Sequence, residues 1–195
     1  MAMTSTRSAP RTAYEALADY ERRSLAHAAA TTEVGDTAGM WRGIGFRIGS
    51  RHLLSSIAEV GEILACPDFA VVPGTRAWLI GIANIRGGLV PIVDLRRFIE
   101  DTATDDRTGA YATSIHGENS RILLVRQHAG SVGLLVDEVL GQRGLTEGQR
   151  SEAHPENDPR YQRYVRETVR LGDIEWGMFN VATLLRAQEF QHAAL

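Results

Sequence analysis

The charged and metal-binding chemistry open to this chain rests on arginines, carboxylates, one cysteine and six histidines, with no lysine: all 21 basic residues are arginine. That removes Schiff-base chemistry, a Walker-type phosphate lysine and a kinase lysine together. Cys66 stands alone, so neither an intramolecular disulfide nor a thiolate zinc cluster can form. His27, His52, His116, His128, His154 and His192 are scattered and make no metal-type pair. Gly-x-Ser-x-Gly, His-Glu-x-x-His and kinase-loop motifs are missing, and an enzyme would need a nucleophile, a base and a stabilising site in one place. The expectation is a chain that is not an enzyme and takes no metal or cofactor.

Asp94 ends an apolar run, as the phosphoacceptor of a receiver domain does. A receiver also needs an early acidic pair, a late lysine and alternating strands and helices, and this sequence has no lysine and little helix in its middle. Asp94 stands directly before Leu95, Phe98 and Ile99 at helical spacing, where a carboxylate caps orphan amides. The Asp105-Asp106 pair lies in a polar stretch and reads as solvated surface. Gly43, Gly45 and Gly49 precede no helix and match no nucleotide fingerprint. Arg86 is the residue that stands out. Its rigid five-donor fork suits holding a carboxylate while presenting a face to a partner; the competing reading is a solvated arginine at a hairpin end.

The element that must position Arg86 is the stretch Leu79–Ile99. Two β-branched runs flank a Gly87-Gly88 break, which predicts a hairpin with positive φ at its central glycines. A short helix follows Asp94. Pro91 has no N–H, so its strand should lie at an edge or turn that position away from a partner.

The rest of the chain fits around that hairpin. A hydrophobic fraction of 44%, a charged fraction of 23% and a net charge of −3 are those of an ordinary globular domain, with no pull towards nucleic acid. No apolar run reaches membrane-spanning length and no secretory leader is evident, so a cytoplasmic protein without direct membrane insertion is expected. Residues 1–9 read as disordered, 12–30 as a moderately amphipathic helix that needs a partner surface, and 31–39 as a linker. From residue 40 short strands recur: 41–49, 52–57, the apolar stretch around Glu62, 121–127, 132–139, 164–171 and 174–179. Residues 101–120 and 151–159 read as polar loops, 141–150 as a turn-rich crossing, Gly172-Asp173 as a second hairpin turn, and Asn180 as the cap of one final helix through Phe190. The pattern is that of a small, mainly β fold of barrels.

Asn84-Ile85-Arg86-Gly87 followed by Val90-Pro91-Ile92-Val93-Asp94-Leu95-Arg96 resembles the signature of CheW-like domains, the adaptors of bacterial chemosensory arrays. Val60-Gly61-Glu62-Ile63 and Val132-Gly133-Leu134-Leu135-Val136-Asp137-Glu138-Val139 are similar to two further motifs of that family, although Gly61 stands where a polar residue is common. The resemblance covers residues 40–190 and leaves residues 1–39 as an extension. It implies two SH3-like five-stranded barrel subdomains, an association of Arg86 with Glu62, and Val60, Glu62, Gly81, Asn84, Arg86 and Gly87 as partner-binding residues. The implied partners are the regulatory domain of a CheA-type histidine kinase and the cytoplasmic tip of a methyl-accepting chemoreceptor, at arrays on the inner membrane. The helix ahead of the barrels resembles PilI-type adaptors of type IV pilus (twitching) systems, a flagellar adaptor being the alternative. A phosphoacceptor protein using Asp94 is the alternative from another class.

Overall fold

The structure, a computed structural model, describes residues 40–100, 117–127, 130–151 and 154–193. The helix expected over 12–30, its linker and most of the 101–120 loop lie outside these residues. The chain first forms the hairpin β1 (Trp41–Ile48) and β2 (Arg51–Ser56), then β3 (Glu62–Ala65), β4 (Phe69–Ala70), β5 (Leu79–Ile85), β6 (Gly88–Asp94) and helix α1 (Leu95–Glu100). Its second half forms β7 (Arg121–Gln127), β8 (Gly130–Val136), β9 (Glu138–Leu145), α2 (Glu147–Ser151), β10 (His154–Pro155), α3 (Pro159–Gln162), β11 (Val165–Leu171), β12 (Ile174–Phe179), α4 (Val181–Arg186) and α5 (Gln188–Gln191).

These strands make two six-stranded sheets, ordered β10-β11-β12-β2-β1-β9 and β4-β5-β6-β8-β7-β3. Each contains five strands of at least four residues and a two-residue strand at one edge. The five-stranded expectation therefore meets six hydrogen-bonded strands per sheet. Advancing every strand number by six turns one order into the other. The halves of the chain are thus structural repeats that exchange strands: β1 and β2 sit with β9–β12, while β7 and β8 sit with β3–β6. Each sheet is antiparallel except at the seam between halves, where β12 runs parallel to β2 and β6 parallel to β8.

The continuous apolar runs follow from burial on both faces. Ile122 and Leu124 enter a core with Val90, Ile92 and Leu135, whereas Leu123 and Val125 enter a larger core shared with Phe46, Leu53 and Phe179 of the other sheet. Leu54, Leu145, Val169 and Trp176 fill a third core on the inner side of the first sheet. Pro91 sits opposite Ile82 on one side, and the β8 ladder begins only at Ile92, so an interior strand accommodates it without losing a bond.

Four expectations are corrected. The run 132–139 breaks at Asp137, where the chain leaves one sheet for the other; the Asp137 carboxylate accepts from the Gly49 amide at 2.6 Å and its own amide bonds to the Arg47 carbonyl. Residues 141–145 are strand, not a turn-rich crossing, because Gly141 (φ 85°) serves a bulge opposite Gly45 and Gly144 leaves room for Met40. Residues 154–162, read largely as loop, hold β10 and α3, the latter capped by Asp158. The single final helix is two: Asn180 caps α4 through the Thr183 amide, but Ala187 is extended (ψ 128°) and restarts the chain as α5. That break lets Phe190 stack on Trp78, with ring centroids 5.8 Å apart, and meet Phe98 edge-on.

Candidate functional site

The Leu79–Ile99 stretch folds as a hairpin leading into a helix, with the turn displaced by one residue. Ile85 pairs with Gly88, so the central residues are Arg86 and Gly87, at φ 53° and 85°. Both in the left-handed region is the type I′ pattern that matches strand twist. The Asn84 side chain crosses the turn, its Oδ1 accepting from the Gly87 amide at 2.9 Å. Arg86 donates from Nη2 to Glu62 Oε1 at 2.5 Å, the arginine side chain being 76% exposed and the glutamate 25%.

The other candidate residues have different work. Gly81 is buried in β5, and a Cβ there would stand 2.5 Å from the Ala70 carbonyl oxygen, so its place is set by packing. Val60 is half-buried against the shared core. Glu62 lies at the start of β3, whose register is fixed by the Gly61 amide bonding to the Leu124 carbonyl. Of the other five candidates, Glu62 pairs with Arg86 and Asn84 and Gly87 shape its turn, whereas Val60 and Gly81 pack elsewhere in the fold.

Leu89 escaped the sequence reading. It is 76% exposed and lies across the hairpin from Asn84. The period-two alternation of β6, with Val90 and Ile92 inward, was the available signal. Leu89, Pro91, Trp78, Leu185 and Phe190 line an open groove of about 440 Å³ together with polar Gln127, Ser131 and Gln191. A second, polar cleft of about 320 Å³ lies along the β12–β2 seam, where Arg51 bridges Glu156 and Asp158.

Asp94 is buried, caps α1 through the Arg97 amide at 3.0 Å and pairs with Arg97 Nε at 3.3 Å. Burial, then Asp68, push the Cys66 thiol above its usual range, which disfavours the thiolate a nucleophile would need. No group of three or more potential metal ligands converges among the described residues.

Two exchanged β units around a shared core, with an arginine presented from a hairpin over a glutamate, define a CheW-type scaffold. The family profile described as the CheW-like domain matches residues 42–190, and the chain belongs to that family. It is 30% identical over 184 residues to Protein PilI of Pseudomonas aeruginosa, an alignment covering 94% of this chain and 97% of that one. Chemotaxis protein CheW of Thermotoga maritima is 26% identical over 106 residues, 54% of this chain and 63% of the relative. The fold is that of the crystal structure of the scaffolding protein TtCheW from Thermoanaerobacter tengcongensis, with a TM-score of 0.60, 19% identity, and 76% and 94% of the two chains covered.

Proposed function

We propose that this chain is a non-enzymatic adaptor that couples methyl-accepting chemoreceptors to a CheA-type histidine kinase, in a system controlling type IV pilus twitching. The observation that carries the pilus assignment is the length of the likeness to Protein PilI. At 184 of 195 residues, it must run into the extension ahead of residue 40, whereas the T. maritima CheW match spans 106 residues. In this reading the two sheets are the family's barrel subdomains, and Val60, Glu62, Gly81, Asn84, Arg86 and Gly87 mark the surface that meets a partner. Arg86 makes the direct polar contact. The groove beside Leu89 takes a helix of the receptor tip, since the apolar side chains among its lining, Leu89, Trp78, Leu185 and Phe190, offer a surface for the apolar face of an amphipathic helix. No helix among the described residues is long and apolar enough to cross a membrane, so recruitment to an inner-membrane array would run through the receptor.

The test is calorimetry of the purified chain against the regulatory domain of a CheA-type histidine kinase from the same organism and against a helical receptor-tip fragment. Saturable one-to-one binding to both supports the adaptor. Binding to neither overturns it.

A further inference from the structure

We infer that Asn84 acts on Arg86 and not on a partner: it is a positioning residue that holds the Arg86–Gly87 turn in the form that aims the guanidinium. The inference rests on the adaptor function proposed above and assigns a division of labour within that site.

Among the described residues, Arg86 is the one non-glycine with a left-handed φ. A Cβ in that region crowds the backbone, so such turn positions favour Gly, Asn or Asp. The second half of the chain provides the control. The β11–β12 hairpin, counterpart of β5–β6, pairs Leu171 with Ile174 as the latter pairs Ile85 with Gly88. Its first turn residue is Gly172, at φ 62°. The turns differ at their second residue, Gly87 having a positive φ and Asp173 not, but both need a left-handed φ at the first, which is met by glycine in one half and by an arginine in the other. Arginine brings no short polar group to steady the turn, so the turn must be steadied from beside it. Asn84 does this through the Gly87 amide, and its exposed side chain, which has the look of a contact, already has its carbonyl engaged. Glu62 then holds the far end of the side chain through Nη2 alone. A fork fixed at its base and at one nitrogen keeps its other donors for a planar acceptor, which makes a partner carboxylate the fitting ligand.

The experiment is a double-mutant cycle on affinity for the kinase regulatory domain, with exchange of the Gly87 amide proton followed by NMR. Asn84→Ala should weaken binding about three- to tenfold, the order of one net hydrogen bond, and Asn84→Asp, which keeps the acceptor, should return it to within about twofold. In an Arg86→Ala background, Asn84→Ala should change affinity by less than about twofold, because the group it positions is gone. Gly87 exchange should be slow in the wild type and in Asn84→Asp, and fast in Asn84→Ala. Equal losses from Asn84→Ala in both backgrounds would make Asn84 a contact in its own right and overturn the inference alone, as would an unprotected Gly87 amide in the wild type. A wild-type chain that binds no kinase domain overturns the adaptor function and this inference with it.

Discussion

Arg86 reaches Glu62 from the turn joining the fourth and fifth strands of its sheet to the first strand, counting from β3. In a flat sheet those positions would lie about 14–19 Å apart at ~4.8 Å per strand, beyond an arginine's reach. The ion pair therefore spans the open side of a curled sheet, and the same curl brings Leu64 of β3, Phe69 of β4 and Ile85 of β5 around one apolar core.

The pair should matter more for binding than for folding. With Arg86 76% exposed, Arg86→Ala or Glu62→Ala should cost roughly 0–1 kcal/mol of stability. An arginine anchor in an interface carries about 2 kcal/mol or more, a loss of about thirtyfold in affinity. Arg86→Glu combined with Glu62→Arg should regain stability and not binding, as read by thermal melts beside calorimetry. Full binding by a folded Arg86→Ala protein would reduce Arg86 to a surface residue.

Gly81→Ala tests the opposite kind of residue. Its new Cβ would meet the Ala70 carbonyl oxygen at 2.5 Å and the Phe69 ring at 2.6 Å. Backbone cannot yield as a flexible side chain can, so about 1–3 kcal/mol of destabilisation is expected. Any loss of binding should then track a fall in melting temperature of several degrees, about 2–4 °C per kcal/mol at this size. Lost binding with an unchanged melt would place Gly81 in the interface itself.

Stability should fall at both ends of the pH range through neighbours on α3. The Arg160 side chain donates two hydrogen bonds to Asp158 at 3.1 and 2.8 Å, Arg51 adds one, and together they hold that carboxyl well below its usual range against the opposing effect of burial. A lowered folded pKa gives stability that is complete above the ordinary carboxylate value near 4 and declines as pH falls below it. The melting temperatures of wild type and Asp158→Asn should differ most at neutral pH and converge in acid. Burial, and then donation to Glu100 at 2.9 Å, raise the Tyr161 phenol. That contribution is complete below about pH 10 and declines above it, so Tyr161→Phe should flatten the alkaline limb. A wild type and Asp158→Asn pair with parallel curves from pH 2 to 7 would remove Asp158 from the acid limb.

What could be read from residue types alone was what local pattern determines. The β5–β6 hairpin, the Asp94 cap and the apolar strands were legible because alternation, β-branching and capping act over a few residues. The turn was misplaced by one because Gly87-Gly88 satisfies a primed turn as well as Arg86-Gly87 does; only the Asn84 side chain and the Ile85–Gly88 pairing choose between them. Gly141 and Gly144 looked like turn residues and instead serve a bulge and a close contact inside β9. Ala187 favours helix, and nothing nearby in sequence announces that Phe190 must reach Trp78. Arg86 and Glu62, 24 residues apart, were joined by the family resemblance and not by spacing. The exchange of strands between halves pairs residues far apart in the chain, which local pattern does not reveal.

A substitution at Leu89 tests the two proposed partner surfaces separately. A leucine left 76% exposed on the lining of an open groove stabilises the fold little, so Leu89→Ser should stay within about 0.5 kcal/mol of the wild type. On the proposed function, that side chain is buried when a receptor helix enters the groove. Burying one leucine is worth about 1.5–3 kcal/mol, so Leu89→Ser should weaken the receptor-tip fragment by about ten- to a hundredfold. Affinity for the kinase regulatory domain should remain, because the Arg86–Glu62 pair and its turn are untouched. Arg86→Ala should show the converse, losing kinase with receptor affinity retained, and the two substitutions together should lose both additively. Calorimetry of four proteins against two ligands gives the full comparison. If Leu89→Ser and Arg86→Ala weaken the same ligand and spare the other, groove and hairpin form one contact surface, and the spared partner must dock elsewhere.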